Sequence, residues 1–492
     1  MNPQLSRIGG LAMALLVALV LATTYWQTWA RPSLAERQDN AIQRVAQFEI
    51  KRGLILSANR VLARNRVKQQ SGRTFYFRRY PQGPYAAHVV GYSTAGRSRV
   101  GLELSLNDWL TGSNRGLSSL VDRSLDELRG RPIAGDSVRI TLDVRAQRVA
   151  LAALGRRCGA VVALDPRSGR VRVMASSPSY DPNLVENGFA RIGRISADCK
   201  PASPLLNRAT QGLYPPGSTF KIVTASAALD SGTYTPSSTF YDPGYCIAYG
   251  KRVSNFDTSR PFGNLSLATA LQHSVNSVFC KIGQKLGARR ILAEAKKFGF
   301  YAQPPLETPA SERNMSGLYT RGRPFDPKRD RDVDPGRMAF GQERLLVTPL
   351  QMAMVAGAIG NGGILMKPYV VDRIVSPNGK TVFRTKPEQL GRAVKPLTAR
   401  DVGEMMVSAV EGGTGTSARI SGLRIGGKTG TAETGVGGSN VTWFVAFAGP
   451  EGEKPQLAIA VALQNQTLTG GATAAPIARK VMQALLQPMT NP

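Results

Sequence analysis

The rhythm of apolar and polar positions changes several times along this chain. From Ile8 to Tyr25 no charged residue interrupts an apolar run, with Arg7 before it and Trp26 and Trp29 just beyond. That length and aromatic edge predict a spanning helix over 8–30, behind a short tail at 1–7. The run is longer than the apolar core of a cleaved signal peptide. Residues 31–140 are basic and weakly periodic, predicting a small mixed domain. Gly135–Asp143 then reads as a strand leading into a helix, Val144–Leu154. From 141 to 488 strand and helix patterns alternate, predicting an α/β (α+β) domain whose core strands bracket a long helical insertion. Its helices include Phe220–Leu229, closed by Gly232, and a last one near Ala474–Leu486. Leu265–Gln272 and Val278–Leu286 flank a short break, while Trp443–Ala448 and Leu457–Leu463 read as strands. Thr348 caps a further helix whose first position is Pro349, where the missing amide hydrogen costs nothing.

Composition narrows the function classes. At 492 residues the chain suggests two or three domains, and 63 Lys+Arg against 33 Asp+Glu give a formal charge of +30. Such an excess fits nucleic acid. No zinc-finger spacing, RNA-recognition sequence or concentrated basic helix accompanies it, so no nucleic acid is expected. Anionic lipid heads, pyrophosphates of lipid-linked precursors and acidic wall polymers are the alternative counter-charges. His88 and His273 cannot build a metal site, and Cys158, Cys199, Cys246 and Cys280 are too widely spaced for metal pairs, so neither metal nor cofactor is expected. His273 abuts a motif serine, yet a satisfied structural histidine is the expectation.

Three motifs carry the chemistry. Ser218-Thr219-Phe220-Lys221 follows Pro215-Pro216-Gly217 and opens an apolar run. On a helix the lysine sits one turn beyond the serine on the same face, within reach of its hydroxyl. A serine is a poor nucleophile until a neighbour takes its proton, and a lysine becomes a base when burial or another cation lowers its pKa. Ser274-Val275-Asn276 lies at the break between two helix-like stretches, where side chains project into a cleft. Lys428-Thr429-Gly430-Thr431-Ala432 continues Ile425-Gly426-Gly427 in a strand pattern, and its glycines let a substrate backbone approach as an added strand. Each motif alone is common; the three in this order are not.

On these motifs the chain resembles the serine penicillin-binding proteins and class A β-lactamases. Gly159–Pro166, Arg170–Pro182, Asn207-Arg208-Ala209, Gly341-Gln342 and Thr348–Ala353 extend the likeness over nearly the whole chain. Arg52-Gly53, Gly101-Leu102-Glu103 and the turn-rich Gly130–Asp136 look like the pedestal (dimerisation-like) module of class B penicillin-binding proteins. Ser57 stands near the place of an acidic residue usual after Arg-Gly. With Tyr76–Pro84 and the short length, this most resembles the actinobacterial penicillin-binding protein A branch. The pedestal is too short for a glycosyltransferase domain. Glu103 has two readings, a pedestal contact or a surface carboxylate.

The resemblance implies a peptidoglycan D,D-transpeptidase with a central antiparallel sheet and a helical subdomain, which is also a target of β-lactams. It implies Ser218 as nucleophile, Lys221 as base, and Ser274, held by Asn276 and Lys428, as proton relay to the leaving amine. Backbone amides of Ser218 and Thr431 would form the oxyanion hole. Lys428 and Thr429 would receive the substrate carboxylate, with Gly430, Thr431 and Ala432 along the stem peptide. It also implies a single-pass membrane protein with an extracytoplasmic catalytic domain, associated with a glycan polymerase and with division or elongation proteins. The alternative is a membrane-anchored β-lactamase or β-lactam sensor. Class A β-lactamases carry a water-activating glutamate between the second and third motifs, but Glu307 and Glu312 lack its setting, and their Pro/Ser-rich stretch reads as a surface loop. Outside the membrane the four cysteines should pair. Of three connectivities, Cys158–Cys199 with Cys246–Cys280 is favoured because each pair brackets one segment.

Overall fold

The computed structural model describes residues 3–25, 48–113, 134–256, 261–329, 332–434 and 438–487. The expected anchor falls on a helix, Pro3–Tyr25, rich in the good helix formers Leu and Ala. Its side chains are described at Arg7 and at 9–25, and all of these are exposed. Among the described residues no helix is long and apolar enough to cross a membrane. Trp26, Trp29 and the rest of 26–30 lie outside the described residues, as do 130–133 of the turn-rich stretch.

The pedestal is built on a six-stranded sheet. From one edge its strands are Thr381–Arg384, Val371–Val375, Ser137–Ile140, Ile55–Ser57, Arg60–Gln70 and Arg73–Arg79. Ser137–Ile140 runs parallel to Ile55–Ser57; the other neighbours are antiparallel. Two of the six strands therefore come from 371–384, so one sheet joins the regions expected at 31–140 and 141–488. Glu103, on the short helix Leu102–Ser105, is fully buried, 2.8 Å from Arg52 and 2.6 Å from Arg78 of the edge strand. The Tyr80 hydroxyl donates to the same carboxylate at 3.3 Å. The surface reading of Glu103 is thus wrong: two guanidiniums and a phenol satisfy the carboxylate where water cannot reach it. Ser57, near the usual acidic place, donates its hydroxyl to the Leu142 carbonyl.

The second domain is organised by a five-stranded antiparallel sheet ordered Leu423–Glu433, Asn440–Pro450, Leu457–Gln466, Gly159–Leu164, Val171–Ser177. Every residue of Gly159–Leu164 is buried. Successive side chains point to opposite faces of a strand. Ala160, Val162 and Leu164 accordingly join the core containing the helix Pro349–Gly360, while Val161 and Ala163 join helices Val144–Leu154 and Gly470–Leu486. A strand covered on both faces reads as a continuous apolar run, as this one does. The strand bearing Lys428 lies at the sheet edge.

Both expected disulfides form, with Cα separations of 5.9 Å for Cys158–Cys199 and 6.3 Å for Cys246–Cys280. The second fastens the hairpin Tyr245–Ala248/Lys251–Ser254 to the helix Asn276–Leu286.

Candidate active site

The turn that carries Ser218 is shaped before the helix begins. Gly217–Phe220 forms a 3₁₀ turn and the α-helix runs Lys221–Asp230, one residue later than the sequence suggested. Gly217 has φ +51°, a conformation disfavoured for residues with a Cβ. Its amide donates to the Gly341 carbonyl at 3.0 Å. The Trp443 indole donates to the Pro215 carbonyl at 2.9 Å, fixing the other end of the turn to the sheet. Ser218 is half-buried and lines a cleft of about 860 Å³. No other described residue hydrogen-bonds its hydroxyl.

Lys221 is completely buried, and its amine reaches the second motif instead of Ser218. It donates to the Ser274 carbonyl and to Asn276 Oδ1, each at 2.7 Å, and lies 3.2 Å from Ser274 Oγ. Burial, with repulsion from Lys428 second, holds its pKa well below the ordinary lysine value. A neutral amine has two hydrogens and one lone pair. The two shortest contacts take the hydrogens, which leaves the lone pair for a proton.

Lys428 is equally buried and donates to Ser274 Oγ at 2.8 Å and to the Thr429 carbonyl at 3.1 Å. Burial lowers its pKa to about 7. Ser274 is held at φ +62° in the left-handed region, a strained place for a residue with a Cβ. The hydroxyl thereby stands between two amines. Asn276 does not bond Ser274, contrary to expectation: it accepts from Lys221 and donates to the Ser254 carbonyl at 3.1 Å. It thus ties Lys221 to the hairpin secured by Cys246–Cys280.

The third motif occupies the open edge strand, with Lys428 opposite Val445 and Thr431 opposite Thr442 on its single strand neighbour. A Cβ on Gly430 would come within 2.9 Å of the Pro216 carbonyl, and one on Gly217 within 3.0 Å of the Ala432 Cβ. Small residues at these places bring the nucleophile turn against the strand. Ser218, Ser274, Asn276, Thr429 and Thr431 all line one cleft, with Lys221 and Lys428 behind them.

Several cleft residues were not singled out from the sequence. Thr429 donates its hydroxyl to Thr414 at 2.6 Å, and Thr414 sits in Gly412-Gly413-Thr414-Gly415, a glycine cluster that could have signalled a loop at the site. Arg337, Glu433 and residues 251–256 also line the cleft without any such signal, whereas Gln342, which lines it too, was part of the resemblance. His273 is exposed on the cleft wall beside Phe262, ring centroids 5.3 Å apart, so the expected satisfied histidine is corrected. His88 does fit that description: buried, Nε2 2.8 Å from the Pro204 carbonyl, its pKa pushed down to about 4 chiefly by burial.

Glu307 and Glu312 are committed elsewhere. Glu307 accepts from the Val370 and Val371 amides at 2.9 and 3.3 Å. Glu312 is half-buried and accepts from the Gly101 amide of the pedestal at 2.9 Å, so the stretch is a domain contact and not only a surface loop. Among the described residues no cluster of His, Cys, Asp and Glu could hold a metal ion.

Comparison with known proteins matches residues 159–483 to the penicillin-binding protein transpeptidase domain and 52–138 to the penicillin-binding protein A dimerisation domain. The chain is 34% identical to a peptidoglycan D,D-transpeptidase PbpA of Mycolicibacterium smegmatis, over 99% of each chain. It is 35% identical to the protein of the same name from Mycobacterium tuberculosis, again over 99% of each. Penicillin-binding protein A of M. tuberculosis, solved as an imipenem acyl-enzyme complex, superposes with a TM-score of 0.79 at 32% identity, covering 90% of this chain and 100% of that one. Its penicillin G acyl-enzyme complex gives 0.78 at 32% identity, covering 89% and 100%.

Proposed function

The chain belongs to the penicillin-binding protein transpeptidase family, and from that premise we infer a peptidoglycan D,D-transpeptidase that works through an acyl-Ser218 intermediate and is a covalent target of β-lactams. The observation that carries the residue assignments is the convergence of two buried amines, Lys221 and Lys428, on Ser274 beside the free hydroxyl of Ser218.

Ser218 attacks the carbonyl between the last two D-alanines of a stem peptide while Lys221 takes its proton. The tetrahedral oxyanion is received by the amides of Ser218 and Thr431, each donor worth about 3 kcal/mol. Collapse breaks the C–N bond, and Ser274 hands a proton to the departing D-alanine amine while Lys221, against its hydroxyl, passes on to it the proton taken from Ser218. Lys428 and Thr429 hold the terminal carboxylate, a charge-assisted contact, and the peptide lies along Gly430, Thr431 and Ala432 as an added strand. The amine of a neighbouring stem then attacks the ester, forms the cross-link and returns the proton to Ser218.

The finer setting is part of the same proposal. The helix Pro3–Tyr25 spans about 35 Å at 1.5 Å per residue, against about 30 Å of hydrocarbon in a bilayer. The stretch described with side chains falls short by itself, so the anchor rests on the whole helix and on the uncharged run Ile8–Tyr25. We place the catalytic domain outside the cytoplasm, where disulfides persist. A polymerase and proteins of division or elongation are its proposed partners.

The hydrolase alternative is tested by the fate of the acyl-enzyme. With Glu307 and Glu312 bound to backbone amides, benzylpenicillin should be consumed in one stoichiometric burst. Sustained turnover lost in Glu312→Gln would favour the β-lactamase.

A further inference from the structure

A cavity of about 880 Å³ opens where the pedestal sheet meets the catalytic domain, sharing no lining residue with the catalytic cleft. Seven arginines and two aspartates line it, an excess of five positive charges. Arg60, Arg139 and Arg373 come from the pedestal strands; Arg170 and Arg172 come from the catalytic domain.

The two aspartates do not saturate this charge. Asp372 lies 3.6 Å from Arg170 and 3.9 Å from Arg373, and Asp143 lies 3.4 Å from Arg172. Charge-assisted hydrogen bonds are shorter, about 2.7–2.9 Å. Asp143 is also occupied as a helix cap, accepting from the Ala146 amide at 3.0 Å. Arg60 has no ion-pair or hydrogen-bond partner among the described residues. Arg139 and Arg373 stand directly opposite each other on adjacent strands, a like-charge pairing that weakens a sheet. Arg145 and Arg148 are engaged with the protein, donating to the Ala484 carbonyl and to Gln82 Oε1, and Arg139 spends one nitrogen on the Ala58 carbonyl at 2.9 Å, which leaves the rest of its guanidinium for a ligand.

We propose that this groove is an anion site for a ligand bearing two or more phosphates, held by Arg60, Arg139, Arg172 and Arg373. A monoanionic carboxylate would leave most of the excess uncompensated, whereas guanidinium forks match phosphate oxygens two at a time. The ligand relieves the Arg139–Arg373 repulsion and bridges pedestal strands to the catalytic strand Val171–Ser177. Its source is a soluble diphosphate ester or a lipid headgroup carrying the same chemistry.

The test uses the full chain in detergent micelles, with Arg139→Gln/Arg373→Gln and, separately, Arg60→Gln. Inorganic pyrophosphate is titrated by calorimetry and thermal unfolding. It should bind and raise the wild-type Tm, with affinity at least about tenfold weaker in the double variant. The ligand-free Tm of the double variant should equal or exceed that of wild type, because a repulsion has been removed. Sedimentation with phosphatidylcholine vesicles, with and without a polyprenyl diphosphate, separates the sources. A gain on adding the polyprenyl diphosphate, present in wild type, absent from the double variant and competed by pyrophosphate, assigns a lipid diphosphate. Pyrophosphate binding without that gain assigns a soluble ester. Equal responses of wild type and both variants to both probes would overturn the proposal, as would a lowered ligand-free Tm with unchanged binding, which makes the arginines structural.

Discussion

Lys428 donates to the Ser274 hydroxyl at 2.8 Å from a position sealed off from solvent. Burial brings its pKa to about 7, so this contact titrates within the working range of an enzyme. The cation that should receive the substrate carboxylate is lost as pH rises through that value. Benzylpenicillin acylation, measured as a second-order rate against pH, should therefore decline above about 7. Lys428→Arg cannot lose its proton, so whatever activity it retains should lack that alkaline limb.

The same shift links stability to pH. Between about 7 and the ordinary lysine value of 10.5, the unfolded chain holds a proton on Lys428 that the folded chain has released. Stability from this group therefore rises with pH across that window and is lowest below it. In denaturant titrations, wild type should gain on Lys428→Met between pH 7 and about 9.5. A constant gap would place the amine's pKa elsewhere.

Glu103 holds two buried guanidiniums together. Burial alone would raise its pKa, but Arg78 and Arg52 more than offset that and keep it below the ordinary carboxylate value. Removing the charge strands both cations, and Glu103→Gln should cost about 3–5 kcal/mol in chemical denaturation. Replacing all three members with apolar residues of similar volume should recover much of that loss.

Gly341 supports the turn that carries Ser218 from behind. Its φ is +79°, and a Cβ there would lie 1.9 Å from the Gly217 carbonyl oxygen. Gly341→Ala must displace the turn that carries Ser218, and acylation should slow by about a hundredfold or more. An unaffected rate would show that the turn is positioned by other contacts.

Cys246–Cys280 closes a segment with a sequence separation of 34, worth about 4 kcal/mol if chain entropy alone acts. It also holds the hairpin whose Ser254 carbonyl binds Asn276. Cys246→Ser/Cys280→Ser should unfold at lower denaturant and acylate more slowly. Thiol titration of unfolded, unreduced wild type should find no free thiol.

Much of the site was legible because its chemistry is local. Ser218 and Lys221 are three positions apart and Lys428 to Ala432 form one strand, so spacing alone placed Ser218 on the turn that opens the helix carrying Lys221 and kept the third motif together. The partners of Lys221 were not legible. They depend on how the break at Ser274 folds, and its left-handed φ is imposed by packing that no single-residue preference encodes. The sheet core was visible in the unbroken apolar run Gly159–Leu164. The pedestal's extra strands were hidden for another reason. Pro377-Asn378-Gly379 marks the turn between Val371–Val375 and Thr381–Arg384, yet a hairpin signal does not say which sheet receives it. Glu103 was ambiguous because the arginines that bury it lie 25 and 51 positions away.

The central claim is that Ser218 forms the acyl-enzyme with Lys221 as its base. Intact-mass and peptide mass spectrometry of the purified protein after benzylpenicillin treatment tests it most directly. One penicilloyl adduct should appear, on the peptide containing Ser218. It should be absent from Ser218→Ala, and also from Lys221→Arg, whose guanidinium cannot accept the proton. An adduct on another residue, or undiminished labelling of Ser218→Ala, would contradict the account.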